Sequence, residues 1–322
     1  MPEGSTPPKD HFYGGQAVLE GVMMRGRDHW ALAVRTPDER IHVESHDIDS
    51  AAARHPILRK PGLRGVMVLG QSLSIGFRAL TRSAKLSSPE DVELSSTTMG
   101  VSMGVAAVLF LGLFVVGPAV LFDWLRHIIG SGLIANVLEG VFRVALFLGY
   151  LAVIGRTKDI RRVFQYHGAE HKTIAAYEHG EPLRPERVDR YSTLHVRCGT
   201  NFLLIVMILT IVVFAFFGTP SIGWRIASRI IAIPIIAAIA YELLRLGARY
   251  PNSSLIRAVM TPGLWLQRIT TKPPDAGQIE VAIASFEEVL RAEADGARVP
   301  APERGAEPPN TQVASGDPPV RR

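Results

Sequence analysis

Cysteine is almost missing from this chain. Cys198 is the only one, so no disulfide can form within it, and its thiol is inert, redox-active or a metal ligand. Charge is missing from several long apolar runs, although charged residues make up 20% of the whole. Their absence there excludes ordinary soluble-domain arithmetic and gives the membrane pattern instead. The first ten residues, MPEGSTPPKD, contain no apolar stretch, so a cleavable signal peptide is not expected. The glycine-rich segment 13–25 lacks the G-x-x-x-x-G-K-[ST] spacing of a phosphate loop. The net charge of +5 and the pI near 9.5 would suit nucleic acid by sign alone. The Lys and Arg residues instead flank the hydrophobic runs. Anionic membrane lipid is therefore the expected partner, and no nucleic acid is.

What is present divides the chain into seven parts. Residues 1–11 read as a disordered lead and 12–98 as an N-terminal cytoplasmic region. Residues 99–155 hold two membrane spans, 156–200 a cytoplasmic loop, 201–246 two more spans, and 247–294 a C-terminal amphipathic helix. Residues 295–322 read as a disordered tail, rich in Pro, Gly and charge. Within 12–98, Gly14 to Arg25 reads as a glycine-bounded loop stapled by the polar groups of Gln16, Glu20 and Arg25. Residues 29–36 and 40–48 flank Pro37-Asp38-Glu39 and predict a β-hairpin. His42, His46 and Asp47 on its second arm read as solvated strand positions in preference to metal ligands. Residues 65–80 are apolar but contain Gln71 and Arg78, which predicts an interfacial or re-entrant helix whose Arg78, Arg82 and Lys85 meet headgroups.

The four expected spans are about 99–122, 133–154, 201–217 and 226–246. The first carries Gly100-x-x-x-Gly104, which allows close helix contact and self-association. The second carries Glu139 and Arg143 four apart, able to pair inside the bilayer or to snorkel at its edge. Pro234 predicts a kink in the fourth. The 156–200 loop holds Arg156, Lys158, Arg161, Arg162, Lys172, Arg184, Arg187, Arg190 and Arg197. The positive-inside rule places it, and with four spans both termini, in the cytoplasm. The expected class is thus an all-α polytopic membrane protein with four transmembrane helices. A small α+β cytoplasmic region, including the hairpin, completes it.

The chemistry concentrates in Tyr166-His167-Gly168-Ala169-Glu170-His171-Lys172. Residues 158–180 predict a helix whose buried stripe runs through Ile160, Val163, Phe164, His167, His171, Ile174 and Ala175. Two imidazoles four apart on one helical face can hold one metal ion. H-x-x-E-H is the inverted zinc-protease motif, with Glu170 beside the ligands as general base. Leu194-His195-Val196-Arg197-Cys198 supplies two further candidates, His195 and Cys198, at zinc-ligand spacing, and Glu178 is also in reach. Three ligands with one open position would make a catalytic zinc site, whereas all four would make a closed structural one. The competing reading is a hydrogen-bonded histidine brace. In that case the chain is a non-catalytic, oligomeric membrane scaffold or assembly factor for lipids or membrane proteins.

Four stretches resemble the YqhQ-like family of bacterial integral membrane proteins. They are Gly15 to Arg25, Tyr166 to Lys172, His195 to Phe202 and Pro262 to Gln267, and the resemblance covers about residues 12–294. Asn201 departs from the serine common at its position. The resemblance implies an integral inner-membrane protein of an uncharacterised family. It also implies a predicted metal-dependent enzyme, on the same His, Glu and Cys residues. The function expected from these readings is a zinc-dependent, hydrolase-like membrane enzyme acting at the cytoplasmic face.

Overall fold

A computed structural model describes residues 13–48, 60, 63–89, 96–130, 132–195, 198–216, 221–250 and 253–296. The expected lead, and the expected tail beyond residue 296, lie outside the described residues. Four antiparallel strands come first, β1 (Gly14–Val18), β2 (Gly21–Arg25), β3 (His29–Arg35) and β4 (Ile41–Asp47), paired in sequence order. The expected hairpin is β3–β4, with Arg35 opposite Ile41 and Glu39 in the left-handed region at φ 62°. His42, His46 and Asp47 lie on β4; His46 and Asp47 are exposed, and His42 pairs with Glu44 at 3.2 Å.

The segment expected as a stapled loop is a second hairpin. Gly14 to Val18 pairs with Gly21 to Arg25 around a two-residue turn, Leu19-Glu20, with Glu20 at φ 50°. Of the expected staples, Glu20 and Arg25 hold the hairpin to its neighbours. Glu20 makes a two-pronged ion pair with Arg162 and accepts from the Tyr166 hydroxyl at 3.3 Å. Arg25 reaches Ser72 Oγ at 2.7 Å and Gln71 Oε1 at 2.5 Å.

The period-2 alternation of the strands gives the sheet two buried faces. Val18, Met23, Trp30, Leu32 and Val34 pack with Ile75 and Ala79 of α1 (Leu63–Ser87). Val22, Met24, Ala31 and Ala33 pack on the other side with α5 (Lys158–Glu178) and α10 (Ala276–Gly296). Helix α10 carries the expected apolar face, since Ile279, Val281, Ala282, Phe286, Val289 and Leu290 are all buried. Its start is a capping box: Asp275 Oδ1 accepts from Gln278 N at 2.8 Å, and Gln278 Oε1 accepts from Asp275 N at 3.0 Å.

The apolar helices form a second group. A helical run comprises α2 (Ser96–Leu111), a π turn at Gly112–Val116 and α3 (Gly117–Ile129). Helix α4 (Gly132–Ile154) returns toward α5. Helix α7 (Gly199–Ala215) follows the short α6 (Pro185–Val188), then come α8 (Ile222–Arg249) and α9 (Ser254–Thr270). Among the described residues, three helical stretches are long and apolar enough to cross a membrane: Gly100–Leu125, Gly132–Ile154 and Ala227–Leu246. This corrects the expectation of four. Helix α7 is apolar throughout, but its 17 residues rise only ~25 Å at 1.5 Å each, against a hydrocarbon core of ~30 Å. Pro234 sits inside α8, which continues through it.

Candidate metal centre

Helix α5 lies between the two groups, and this explains its sequence. Asp159 stands in its positively polarised first turn. Its end is a Schellman motif: Gly180 at φ 73° donates to Tyr177 O at 2.9 Å, and Glu181 donates to Ala176 O at 3.0 Å. A single apolar stripe was expected, but Tyr166 to Ala176 is buried on nearly every side. Tyr166, Ala169, Ile174 and Ala176 face the sheet and α10. His167 and His171 are held from elsewhere, by Thr270 at the end of α9 and by Thr193 and Cys198.

Two backbone carbonyls fix the two imidazoles. His167 Nδ1 lies 2.9 Å from Thr270 O, and His171 Nδ1 lies 2.5 Å from Thr193 O. A carbonyl only accepts, so each Nδ1 carries the proton and each Nε2 presents a lone pair. His167 Nε2 is 3.2 Å from Cys198 Sγ. His171 Nε2 is buried with no hydrogen-bond partner. Burial also holds the His171 imidazole below its ordinary pKa, against a smaller opposing pull from the adjacent thiol. The donor atoms of His167, His171 and Cys198 all lie within 4.8 Å of one another. Orienting a ligating histidine through an Nδ1–H bond to a carbonyl is the usual outer shell of a metal site.

Cys198 caps the start of α7, where Sγ accepts from Thr200 N at 3.4 Å and pairs with Thr200 Oγ1 at 3.1 Å. Cysteine binds metal through its sulfur as the thiolate. His195, the fourth expected ligand, stands outside this grouping. Its ring centroid is 5.7 Å from that of His171, and its Nε2 meets Glu178 Oε2 at 3.3 Å. Glu178, named as a spare ligand, is thus the partner of His195.

Glu170 is outside the grouping as well. It is buried, with Oε2 unpartnered, and the Gly15 N–H hydrogen-bonds to its carboxylate. Burial raises its pKa above the ordinary 4.5, while His167 and His195 pull it down. Gly15 is required by this approach, since a Cβ there would meet Met23 O at 2.6 Å and Glu170 Cδ at 2.9 Å. Gly168 is a second close approach. The carbonyl of Lys272 lies where its Cβ would stand, and Lys272 N bonds Phe164 O at 2.8 Å. That contact carries the end of α9 past His167.

Gln267 is the functional residue whose role sequence reasoning missed. It is fully buried. Its Oε1 accepts from His195 N at 2.8 Å, and its Nε2 donates to His195 O at 2.8 Å and to Asn201 Oδ1 at 3.0 Å. It thereby ties His195 to the first turn of α7. The signal was a lone glutamine on the apolar face of a helix. Lys172 anchors the preceding connection through Asp189 O at 2.5 Å and Asp189 Oδ1 at 2.8 Å.

Fold and centre together define a mainly helical protein. It has three long apolar helices, a small antiparallel sheet, and a buried imidazole–thiol cluster where the two groups of elements meet. The chain belongs to the family described as "Protein of unknown function (DUF1385)", whose model matches residues 60–292. It is 35% identical over 308 residues to "Uncharacterized protein YqhQ" of Bacillus subtilis (strain 168), an alignment covering 91% of this chain and 96% of that one. This agrees with the resemblance seen in the motifs. No solved structure matches significantly.

Proposed function

We propose that this protein is a zinc-dependent, hydrolase-like enzyme of the bacterial cytoplasmic membrane, with the metal held by His167, His171 and Cys198. One observation carries the reading. Two lone pairs and a thiol sulfur converge within 4.8 Å while both imidazole protons are turned onto backbone carbonyls. Sulfur and imidazole nitrogen are the donors zinc prefers, and three protein ligands with a fourth position left over is the catalytic pattern. Bound zinc would supply a Lewis acid and a source of acidified water. In this reading Glu170 takes the proton from the attacking water. Its burial beside the ligands suits a base whose pKa must lie nearer neutrality than that of a free carboxylate. His195, tied to Glu178, stands next to the cluster. Its recruitment as a fourth ligand would make the centre structural and the protein a scaffold.

Membrane placement is part of the same proposal. The long apolar helices present many side chains outward, among them Val108, Leu109, Ile134 and Val153, and lipid is their natural partner. Helix α1 leaves Val66, Leu73, Phe77 and Leu80 exposed beside Arg78 and Arg82, as an interfacial helix would. The sheet, α5 and α10 share one core and therefore one side; that takes an even number of crossings, so in this reading the shorter apolar α7 crosses together with α8. The basic residues of 156–200 assign that side to the cytoplasm.

The test is metal content and turnover of detergent-purified wild type, His167→Ala, Cys198→Ser and Glu170→Gln. The probes are a quenched peptide and a fluorogenic ester. About one zinc per chain in wild type and in Glu170→Gln is expected, with loss in the two ligand variants and turnover only in wild type. Folded wild type without metal overturns the reading.

A further inference from the structure

A second cluster lies far along the chain from the histidines, inside the apolar helices. Glu139 on α4 is 1% exposed, and its Oε1 accepts from Arg143 Nη2 at 2.8 Å and from Arg229 Nη2 on α8 at 2.7 Å. The Glu139–Arg143 pairing follows from their spacing, but Arg229 reaches it only through the packing of α4, α7 and α8. The Arg229 guanidinium also lies over the Phe214 ring of α7, 5.6 Å from its centroid. Two guanidiniums therefore share one carboxylate. Arg143 Nε and Glu139 Oε2 are both buried with no hydrogen-bond partner.

Both arginines line a cavity of about 260 Å³ whose remaining walls are mostly apolar, including Phe114, Val144, Phe147 and Ile233. That approaches the size of small-molecule pockets, and a smaller apolar cavity of ~150 Å³ already binds benzene. Glu139 and Arg229 each stand ~10 Å from the start of their helices, at 1.5 Å per residue. With α4 and α8 in the bilayer, that depth is within reach of the headgroup boundary.

We infer that this cavity is a binding site for an anionic phospholipid of the surrounding membrane. Its headgroup phosphate meets Arg143 and Arg229, and one acyl chain enters the cavity between α2, α4, α7 and α8. Charge complementarity selects the occupant: the polar end offers one positive charge in excess, and the body accepts hydrocarbon. This site is separate from the metal centre and rests only on embedding of the helices.

The full chain reconstituted in mixed phosphatidylglycerol and phosphatidylcholine vesicles, re-extracted in detergent and analysed by mass spectrometry for retained lipid, tests it. Wild type should retain phosphatidylglycerol in preference to phosphatidylcholine. Arg143→Gln should weaken that retention about fivefold, the loss of one cationic contact to an anionic lipid. Thr210→Phe, which fills the cavity and leaves the charges in place, should abolish it at unchanged melting temperature. Equal retention of both lipids, or retention in Thr210→Phe equal to wild type, would make the cluster a purely structural ion-pair network and overturn the inference.

Discussion

At the scale of single residues, the centre depends on atoms that leave no room for substitution. Gly15→Ala puts a methyl group into the Met23 carbonyl and the Glu170 side chain. A loss of ~1–3 kcal/mol in a denaturant titration is expected, the usual cost of overpacking. The tyrosines around α5 give a pH signature. Tyr13, Tyr166 and Tyr177 all have pKa values raised from 10.0, chiefly by burial. Above pH 10 the unfolded chain loses these protons while the folded one keeps them. Stability is therefore intact below that pH and falls as pH rises past it. Melting curves of the apo protein should show this alkaline loss, and Tyr13→Phe should reduce it. The juxtaposition of His167 and His171 was legible from their i,i+4 spacing; Cys198 was read through its spacing from His195, yet of that pair only Cys198 joins the two imidazoles. The engagement of His195 with Glu178 was not legible. Both were equally available as ligands, and only the fold decides which pairs with which.

At the scale of elements, the helices read well and the first hairpin did not. The 158–180 and 277–294 readings match the extents of α5 and α10, and the expected face of α10 is the buried one, while α5 is buried on most sides and of its expected stripe only Ile174 lies in the core shared with the sheet. The turn of β1–β2 carries no Asn-Gly or Asp-Gly signal. Leu19-Glu20 makes it with a non-glycine at φ 50°, stabilised by Arg162 from a helix more than a hundred residues away. No local pattern encodes such a contact. The joint between α9 and α7 is another long-range device, and it makes a prediction. Gln267→Leu removes the acceptor of His195 N and the amide donor that His195 O and Asn201 Oδ1 share. A stability loss of ~1–3 kcal/mol follows from unsatisfied buried groups. Zinc affinity should fall 10–100-fold (about the effect of losing outer-shell support), measured by competition with a chelator.

At the scale of the whole molecule, two groups of elements with different surfaces meet at α5. The sheet with α1 and α10 has a water-type core, while α2–α4, α7 and α8 turn apolar side chains outward. Alkaline carbonate washing of membranes should leave the chain in the pellet, as three long apolar helices require; release into the supernatant would contradict the membrane reading. The count of long spans was overestimated because hydropathy registers α7 as strongly as its neighbours, whereas length separates them. The joining of α4 and α8 by a charge cluster was invisible in sequence, since Arg229 lies ninety residues from its partner.

The central claim is that the imidazole–thiol cluster holds zinc through three ligands. X-ray absorption at the zinc edge of the purified protein tests it most directly. The account predicts one sulfur at ~2.3 Å and two imidazole nitrogens at ~2.0–2.1 Å, with a lighter oxygen neighbour completing the shell, and loss of the sulfur contribution in Cys198→Ser. A shell of oxygen and nitrogen only in wild type, or a third imidazole in place of the oxygen, would contradict the open three-ligand centre.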